Sequence, residues 1–513
     1  MRQLSGRARA WLLSLVSLVV GCAASKNEGS GPRHLADAPV DSAPSAEVEL
    51  LSTAPDGVEQ PKEELLPDGP RLFAYDGFEK ILQKPDTKSA LIGLVRAGQA
   101  VPLADGKPLK GPGVGACKGG FYAVLPRGFI CAGYHSTTDG TDPRYRAARE
   151  VLIDPKKASP ARFGVMITDA PQYLRIPTAK EQRAEEPGLD GYLGKLKSGG
   201  IVIKEGKLDE KPAGHGPSKA FREYVDIAKP ALTADEKAYE GRKMSFAGEL
   251  DAEGRTFLMT PDLTLVPKDK VRFIEASSLR GLDLSKGDHA FPFGYTWIED
   301  APKLTKYQDG RFVETGEVFP RHTFVQLEGA LVRGKGGNYW KTSDGTYVRN
   351  ELVTIFKKRQ DRPSGVGKNG KWVEVRITWG TLVAYEGDTP VFATAISPGI
   401  DGVTPVANGH NTKRGAHTIG WKLISHDMNG VEKSKAWAVD EVPFVAYYKE
   451  GYALHEAWWH DDFGRPKSHG CVNLAPADAQ WLWGWLEPGM PEGWYAVAAF
   501  HPEVKGTTIV ISP

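Results

Sequence analysis

Residues 454–474 read LHEAWWHDDFGRPKSHGCVNL, and their reading decides the fold of the C-terminal part of the chain. Two apolar ends flank the polar run HDDFGRPK, the pattern of two strands joined by a loop. Such a pairing brings His455, at the end of one strand, against Cys471, at the start of the other. A thiol of ordinary pKa, near 8.5, is mostly protonated at neutral pH, so a cysteine nucleophile needs an imidazole, a positive charge or oriented N–H groups beside it. His469 lies two residues from Cys471 and shares a face with it in an extended segment. Gly470 lets the backbone turn so that the N–H groups of Gly470 and Cys471 point at a developing oxyanion.

Upstream, WVEVRI, TLVAYE and PVFATAI from Lys371 onward alternate as strands do. After Pro398 the pattern loosens into loops, and PADAQWLWGWL at 476–486 predicts a short helix with Pro476 in its first turn.

His455, Ser468, His469, Gly470, Cys471 and Asn473 fit the signature H…[S/T]HGC-x-[N/R], and on these residues the region from Lys371 to roughly Phe500 resembles the L,D-transpeptidase, or YkuD-like, catalytic domain. The resemblance implies a β-sandwich with Cys471 as nucleophile and His455 as general base, its tautomer held by a backbone carbonyl just after it. Ser468 and His469 would shape the site, with N–H groups near Gly470 as the oxyanion donors. It also implies acyl transfer: the thiolate attacks the carbonyl of the third residue of a peptidoglycan stem tetrapeptide and expels D-Ala, and an amine of another stem or of a wall-attached protein takes the acyl group. With water as acceptor the same thioester gives an L,D-carboxypeptidase, and a third reading is a tethered wall-binding lipoprotein with a dormant site. Asn473 stands where many members carry Arg. NTKRGAHTIG at 411–420 replaces the usual T-P-x-G, so that Arg414 or Lys413 either offers charge to the stem peptide or is a solvated pair. Trp458 and Trp459 either line the cleft or belong to the core. His455, His460, Asp461, Asp462, His469 and Cys471 crowd together, but neither H-E-x-x-H nor C-x-x-C occurs among them, so no metal and no other cofactor is expected.

The whole chain sets the context. Its 65 basic and 64 acidic residues leave +1, and no Lys/Arg block resembles a nucleic-acid arm, so nucleic acid is discarded as a partner. Arg2, Arg7 and Arg9 precede the apolar run WLLSLVSLVV, which is too short to span a bilayer and reads as an export signal. Its L-V-V-G-C ending resembles a bacterial lipobox, implying lipid on Cys22 and, with Ala23 next, the periplasmic face of the outer membrane. The alternative is an ordinary signal that leaves Cys22 unmodified or removes it. Of the 4 cysteines, Cys117 and Cys131 flank GGFYAVLPRGFI and meet across a hairpin as a disulfide, or remain two buried thiols. Cys471 is left over, and a leftover thiol in an exported chain is a candidate nucleophile.

A chain of 513 residues suggests about three or four units. After a signal at 1–22, residues 23–70 lack Phe, Trp and Tyr and read as a disordered tether. From Arg71 short β-branched and aromatic runs alternate with Gly and Pro, the texture of small β-barrels. KGGFYAVLPRGFIC at 118–131 aligns without gaps on KGGNYWKTSDGTYV at 335–348, and FLMTPDLTLV at 257–266 matches YWKTSDGTYV at 339–348, which gives three copies of one hairpin. Residues 71–135 resemble a bacterial SH3-like module, which would contact peptidoglycan or only brace the catalytic part. The expected order continues with a mixed region at 136–285, holding one or two short helices around SKAFREYVDIAKPAL and TADE and a second SH3-like hairpin, a third module at 286–358, and the catalytic domain at 371–503. The fold class is mainly β throughout.

Overall fold

The structure is a computed structural model that describes residues 69–109, 117, 119–203, 216–287, 289–403, 409–432, 435–499 and 504–513. The expected export signal with Cys22, and residues 23–68 of the expected tether, lie outside the described residues. Among the described residues strand outweighs helix by 41% to 13%, and the fold is mainly β. Among the described residues no helix is long and apolar enough to cross a membrane.

Two sheets form the C-terminal unit. In the first, the three runs read as strands become Lys371–Arg376, Thr381–Glu386 and Thr389–Ala395, each antiparallel to the next. Thr508–Ser512 then adds in parallel beside Lys371–Arg376, beyond the end expected at 503. The period of two sends alternate side chains into two different cores. Val373, Val375, Leu382 and Ala384 face the second sheet, whereas Trp372, Val383 and Tyr385 pack with Phe293, Tyr295 and Phe356 of the preceding unit. Because both faces are covered, these strands are buried at almost every position, Glu374 included.

The second sheet does not stop at the unit's edge. Its middle is the hairpin Trp421–Glu432 and Lys435–Lys449 with Ala496–Ala498 beside it. On one side Leu91–Arg96 of the N-terminal unit pairs with Ala496–Ala498, matching Gly93 with Val497 and Leu94 with Ala496. Glycine is required at 93, since a Cβ there would lie 2.4 Å from the Trp494 ring. Trp494 and Val497 in turn sit in the N-terminal unit's core with Leu72, Ile81 and Val101. On the other side Lys243–Phe246 of the middle region meets the hairpin in parallel, Lys243 opposite Val439. Among the described residues, strands from 71–135, 136–285 and the C-terminal unit thus share one 12-stranded sheet.

The repeats take definite shape. Phe257 pairs with Pro267 and Tyr339 with Arg349, the same register in both copies. In each, the first turn threonine donates its N–H to the carbonyl of the second, Thr260 to Thr264 and Thr342 to Thr346, at 2.9 Å in both. A 3-10 turn and a strand follow each hairpin, Lys268–Lys270 and Val271–Phe273 in one, Asn350–Leu352 and Val353–Phe356 in the other. The first copy differs. Tyr122 pairs with Ile130, whereas its counterpart Tyr339 pairs two residues further on. Cys117 and Cys131 are joined as a disulfide, with Cα atoms 5.5 Å apart.

Helices correct the expectation for 136–285. SKAFREYVDIA forms Lys219–Ala228, but Pro143–Glu150, Ala179–Glu185 and Leu189–Lys197 are also helical. TADE starts none: Thr233 bridges to Tyr173 and the Ala234 N–H donates to Gln172 O, so backbone pairing overrides the local capping signal. A capping box does occur, between Thr178 and Glu181.

Candidate active site

The stretch quoted first folds as a strand pair. Tyr452–Glu456 and Val472–Leu474 run parallel, with Leu454 opposite Val472 and His455 opposite Asn473. Alternation then puts His455, Asn473 and Cys471, one step before Val472, on one face. All three are buried, His455 and Cys471 at 3% exposure and Asn473 at 2%.

His455 Nδ1 lies 2.6 Å from the carbonyl oxygen of Glu456. A carbonyl only accepts, so Nδ1 holds the proton and Nε2 keeps its lone pair. Burial pushes the imidazole pKa down to about 4, and it is a neutral base at physiological pH. The Trp459 ring stacks beside it at 5.8 Å.

The SHGC turn is shaped by its serine. Ser468 Oγ donates to Cys471 O at 2.5 Å and accepts the Gly470 N–H at 3.0 Å. That amide is thus engaged within the turn, not directed at an acyl oxygen as its sequence position suggested. Gly470 has φ of +122°, and a Cβ there would lie 2.9 Å from the Tyr452 ring, so only glycine fits. Cys471 Sγ is 3.7 Å from Gly451 O. His469 is half-buried between His410, edge-on at 4.5 Å, and Trp437, stacked at 5.1 Å.

Asn473 is locked from both sides. Its backbone exchanges two 3.0 Å hydrogen bonds with Ser397, and its amide meets His460 Nε2 at 2.9 Å. His460 Nδ1 accepts the Asp462 N–H, and burial holds this ring near pKa 4, hence neutral. The Asn473 NH2 is the group that lies against Nε2, and the amide oxygen is buried without a hydrogen-bond partner among the described residues.

Other predicted residues fall differently. Trp458 is fully buried and stacks on Phe163 at 4.6 Å, which makes it core and removes it from any substrate contact. Arg414 is exposed, and it is the Lys413 ammonium that lies over the Tyr452 ring, 5.4 Å from its centre. Asp461 is paired with Arg321 at 3.3 Å and Asp462 with Lys467 at 2.7 Å. Among the described residues no group of three or more His, Cys, Asp or Glu is arranged to hold a metal ion.

Several site residues went unread in the sequence. Trp437, His410 and Tyr452 reach the motif only through folding. Glu456 is fully buried with neither carboxylate oxygen hydrogen-bonded, and burial raises its pKa well above the usual carboxylate range. Its place next to His455 in HEAWW was the one available signal.

Residues 370–511 match the family model described as YkuD, the L,D-transpeptidase catalytic domain. A search of curated proteins finds no match. Among solved structures, the catalytic domain of an L,D-transpeptidase from E. faecium is 19% identical, covering 28% of this chain and 97% of that one, with a TM-score of 0.21. An L,D-transpeptidase from Stackebrandtia nassauensis is 24% identical over 29% of this chain and 58% of that one, with a TM-score of 0.19. One from Mycobacterium smegmatis is 17% identical over 44% of this chain and 92% of that one, with a TM-score of 0.22. This chain therefore spans under two thirds of the Stackebrandtia protein.

Proposed function

We propose that this chain is a peptidoglycan L,D-transpeptidase acting by cysteine acyl transfer. The observation that carries the reading is the register that places Cys471 and His455 on one face, with His455 Nδ1 committed to Glu456 O and Nε2 left as base. The family match at 370–511 supports it.

In the proposed reaction His455 Nε2 takes the proton of Cys471 Sγ, and the thiolate adds to the carbonyl of the third residue of a stem tetrapeptide. Collapse of the tetrahedral intermediate breaks the peptide bond, and His455 returns the proton to the departing D-Ala amine. An acceptor amine, of a second stem or a wall-attached protein, then attacks the thioester while His455 takes its proton, and the thiol is restored. Lys413 over Tyr452 and the half-buried Trp459 are the proposed rim contacts.

Export as a lipoprotein anchored through Cys22, at the periplasmic face of the outer membrane, belongs to the same proposal, as do SH3-like modules upstream. The Cys117–Cys131 disulfide suits an oxidising compartment. The shared hairpin, 3-10 turn and strand of the two later copies suit a repeated small barrel.

Intact mass after incubation with a disaccharide-tetrapeptide tests the reading. A gain equal to the donor minus D-Ala in the wild type, absent in Cys471→Ala, is expected. No adduct and no release of D-Ala overturns it, while release into water without transfer to an added amine redirects it to a carboxypeptidase.

A further inference from the structure

The hairpin that carries Trp437 is bent by a bulge. His426 pairs with Val442 and Met428 with Val439, leaving Asp440 and Glu441 opposite Asp427 alone. Glu441 takes a φ of +53° and donates its N–H to Asp427 Oδ1 at 2.8 Å. A left-handed non-glycine residue persists only where its surroundings over-determine it. Here those surroundings include arginines 345 and 198 residues away in sequence, besides Ser425, whose Oγ donates to the Glu441 carboxylate.

Arg96, at the end of a strand of the N-terminal unit, places Nη1 2.5 Å from Glu441 Oε2 and Nη2 3.1 Å from Asp262 of the middle region. Arg242, one residue before the strand that joins the hairpin, sets Nε and Nη2 on the Asp440 carboxylate at 3.0 and 3.1 Å, with Glu236 2.9 Å from Nη1. The two arginine side chains are only 5% and 3% exposed. From this clamp the chain runs through Val439, paired with Lys243, to Trp437 on the His469 ring, two residues from Cys471.

We infer that Arg96 and Arg242 are positioning residues for the acyl-transfer site: they fix the bulge at Asp440 and Glu441 and thereby hold Trp437 against His469. The acylation part of this rests on the function proposed above; the positioning part does not. The upstream segments then complete the site rather than merely carry it.

The test uses the full chain with Arg242→Gln, Arg242→Lys and the exchanged pair Arg242→Asp with Asp440→Arg. Three quantities are followed: hydrogen exchange of the 436–440 amides against those of 472–474, modification of Cys471 by dithiobis(nitrobenzoate), and acylation of Cys471 by the tetrapeptide. Arg242→Gln is expected to speed exchange at 436–440 but not at 472–474, to speed thiol modification, and to slow acylation about tenfold, because a small misplacement suffices for that. Lysine, lacking the planar fork, restores part of the rate and the exchanged pair most of it. Unchanged exchange at 436–440, or faster exchange spread evenly over both strands, overturns the inference, since a purely stabilising pair behaves so. If Arg242→Gln does not fold, Asp440→Asn, which keeps the side-chain shape, is read by the same criteria. If the wild type is not acylated at all, the transpeptidase reading falls while exchange and thiol modification still decide the positioning.

Discussion

The strand pair Tyr452–Glu456 and Val472–Leu474 and the hairpin from Trp421 to Lys449 meet around the SHGC turn, yet different forces fix them. The pair is set by backbone: register, the Glu456 carbonyl on His455, and a serine that closes its own turn. The hairpin has its own backbone register, but its bulge also carries side-chain charge brought from remote parts of the chain. On the proposed function, the chemistry belongs to the locally determined half and the placing of Trp437 to the half that long-range pairs reach. Changes in the pair should strike the reaction itself, and changes around the hairpin should be graded.

The largest expected effect is at His455. His455→Gln keeps a polar side chain but has no basic nitrogen, so acylation of Cys471 should fall by roughly a thousandfold or more, with an unaltered circular dichroism spectrum. Single-turnover mass spectrometry measures it, and a loss below tenfold would mean another group takes the thiol proton. Gly470→Ala comes next. A Cβ at φ of +122° and 2.9 Å from the Tyr452 ring forces the turn to shift, and a loss of about a hundredfold in acylation is expected. Rates near wild type would show that the turn relaxes without moving Cys471.

The contrast also explains what could be read in advance. SHGC, His455 and Asn473 were legible because their chemistry lies within one short stretch, and strand pairing was the simplest way to bring its ends together. The Thr-x-Asp-x-Thr turns at 260–264 and 342–346 were legible for the same reason. Trp458 was not, because neighbouring tryptophans give no sign of which turns toward the site, and Phe163, far away in sequence, settles it. Neither was the merging of the N-terminal unit into the catalytic sheet. Leu91–Arg96 reads as any buried strand, and its partner Ala496–Ala498 is three apolar residues without a signature. The buried places of Arg96 and Arg242 have no local signal either, since nothing in the adjacent sequence marks an arginine as buried.

A pH profile sharpens the local half. Burial lowers the His455 pKa to about 4, so the base stays neutral well below the range in which an exposed histidine would be charged. Acylation at subsaturating donor should therefore hold its value as pH falls from 7 to about 5, and drop only as pH passes through about 4. An acid limb centred near 6.5, with the fold intact by circular dichroism at each pH, would mean that the imidazole is hydrated and the site open to solvent.

The smallest effect on activity is expected at the disulfide, and it separates the clamp from mere integrity of the N-terminal unit. Cys117–Cys131 closes a loop of sequence separation 14, for which the loop-entropy account gives about 3 kcal/mol of stabilisation. It sits on the hairpin 121–131 at one end of the large sheet, with Phe78–Leu82 and Leu91–Arg96 between it and Ala496–Ala498. Replacing both cysteines by serine should lower the unfolding midpoint yet leave acylation within about twofold, because nothing in the cross-link touches Arg96, Asp440 or Glu441. Arg242→Gln should do the reverse, costing more rate than stability. If the two variants lose rate in proportion to stability, the hairpin responds to the general soundness of the sheet and the arginines have no separate part in placing Trp437. If they diverge, the route from upstream unit to active site runs through the bulge.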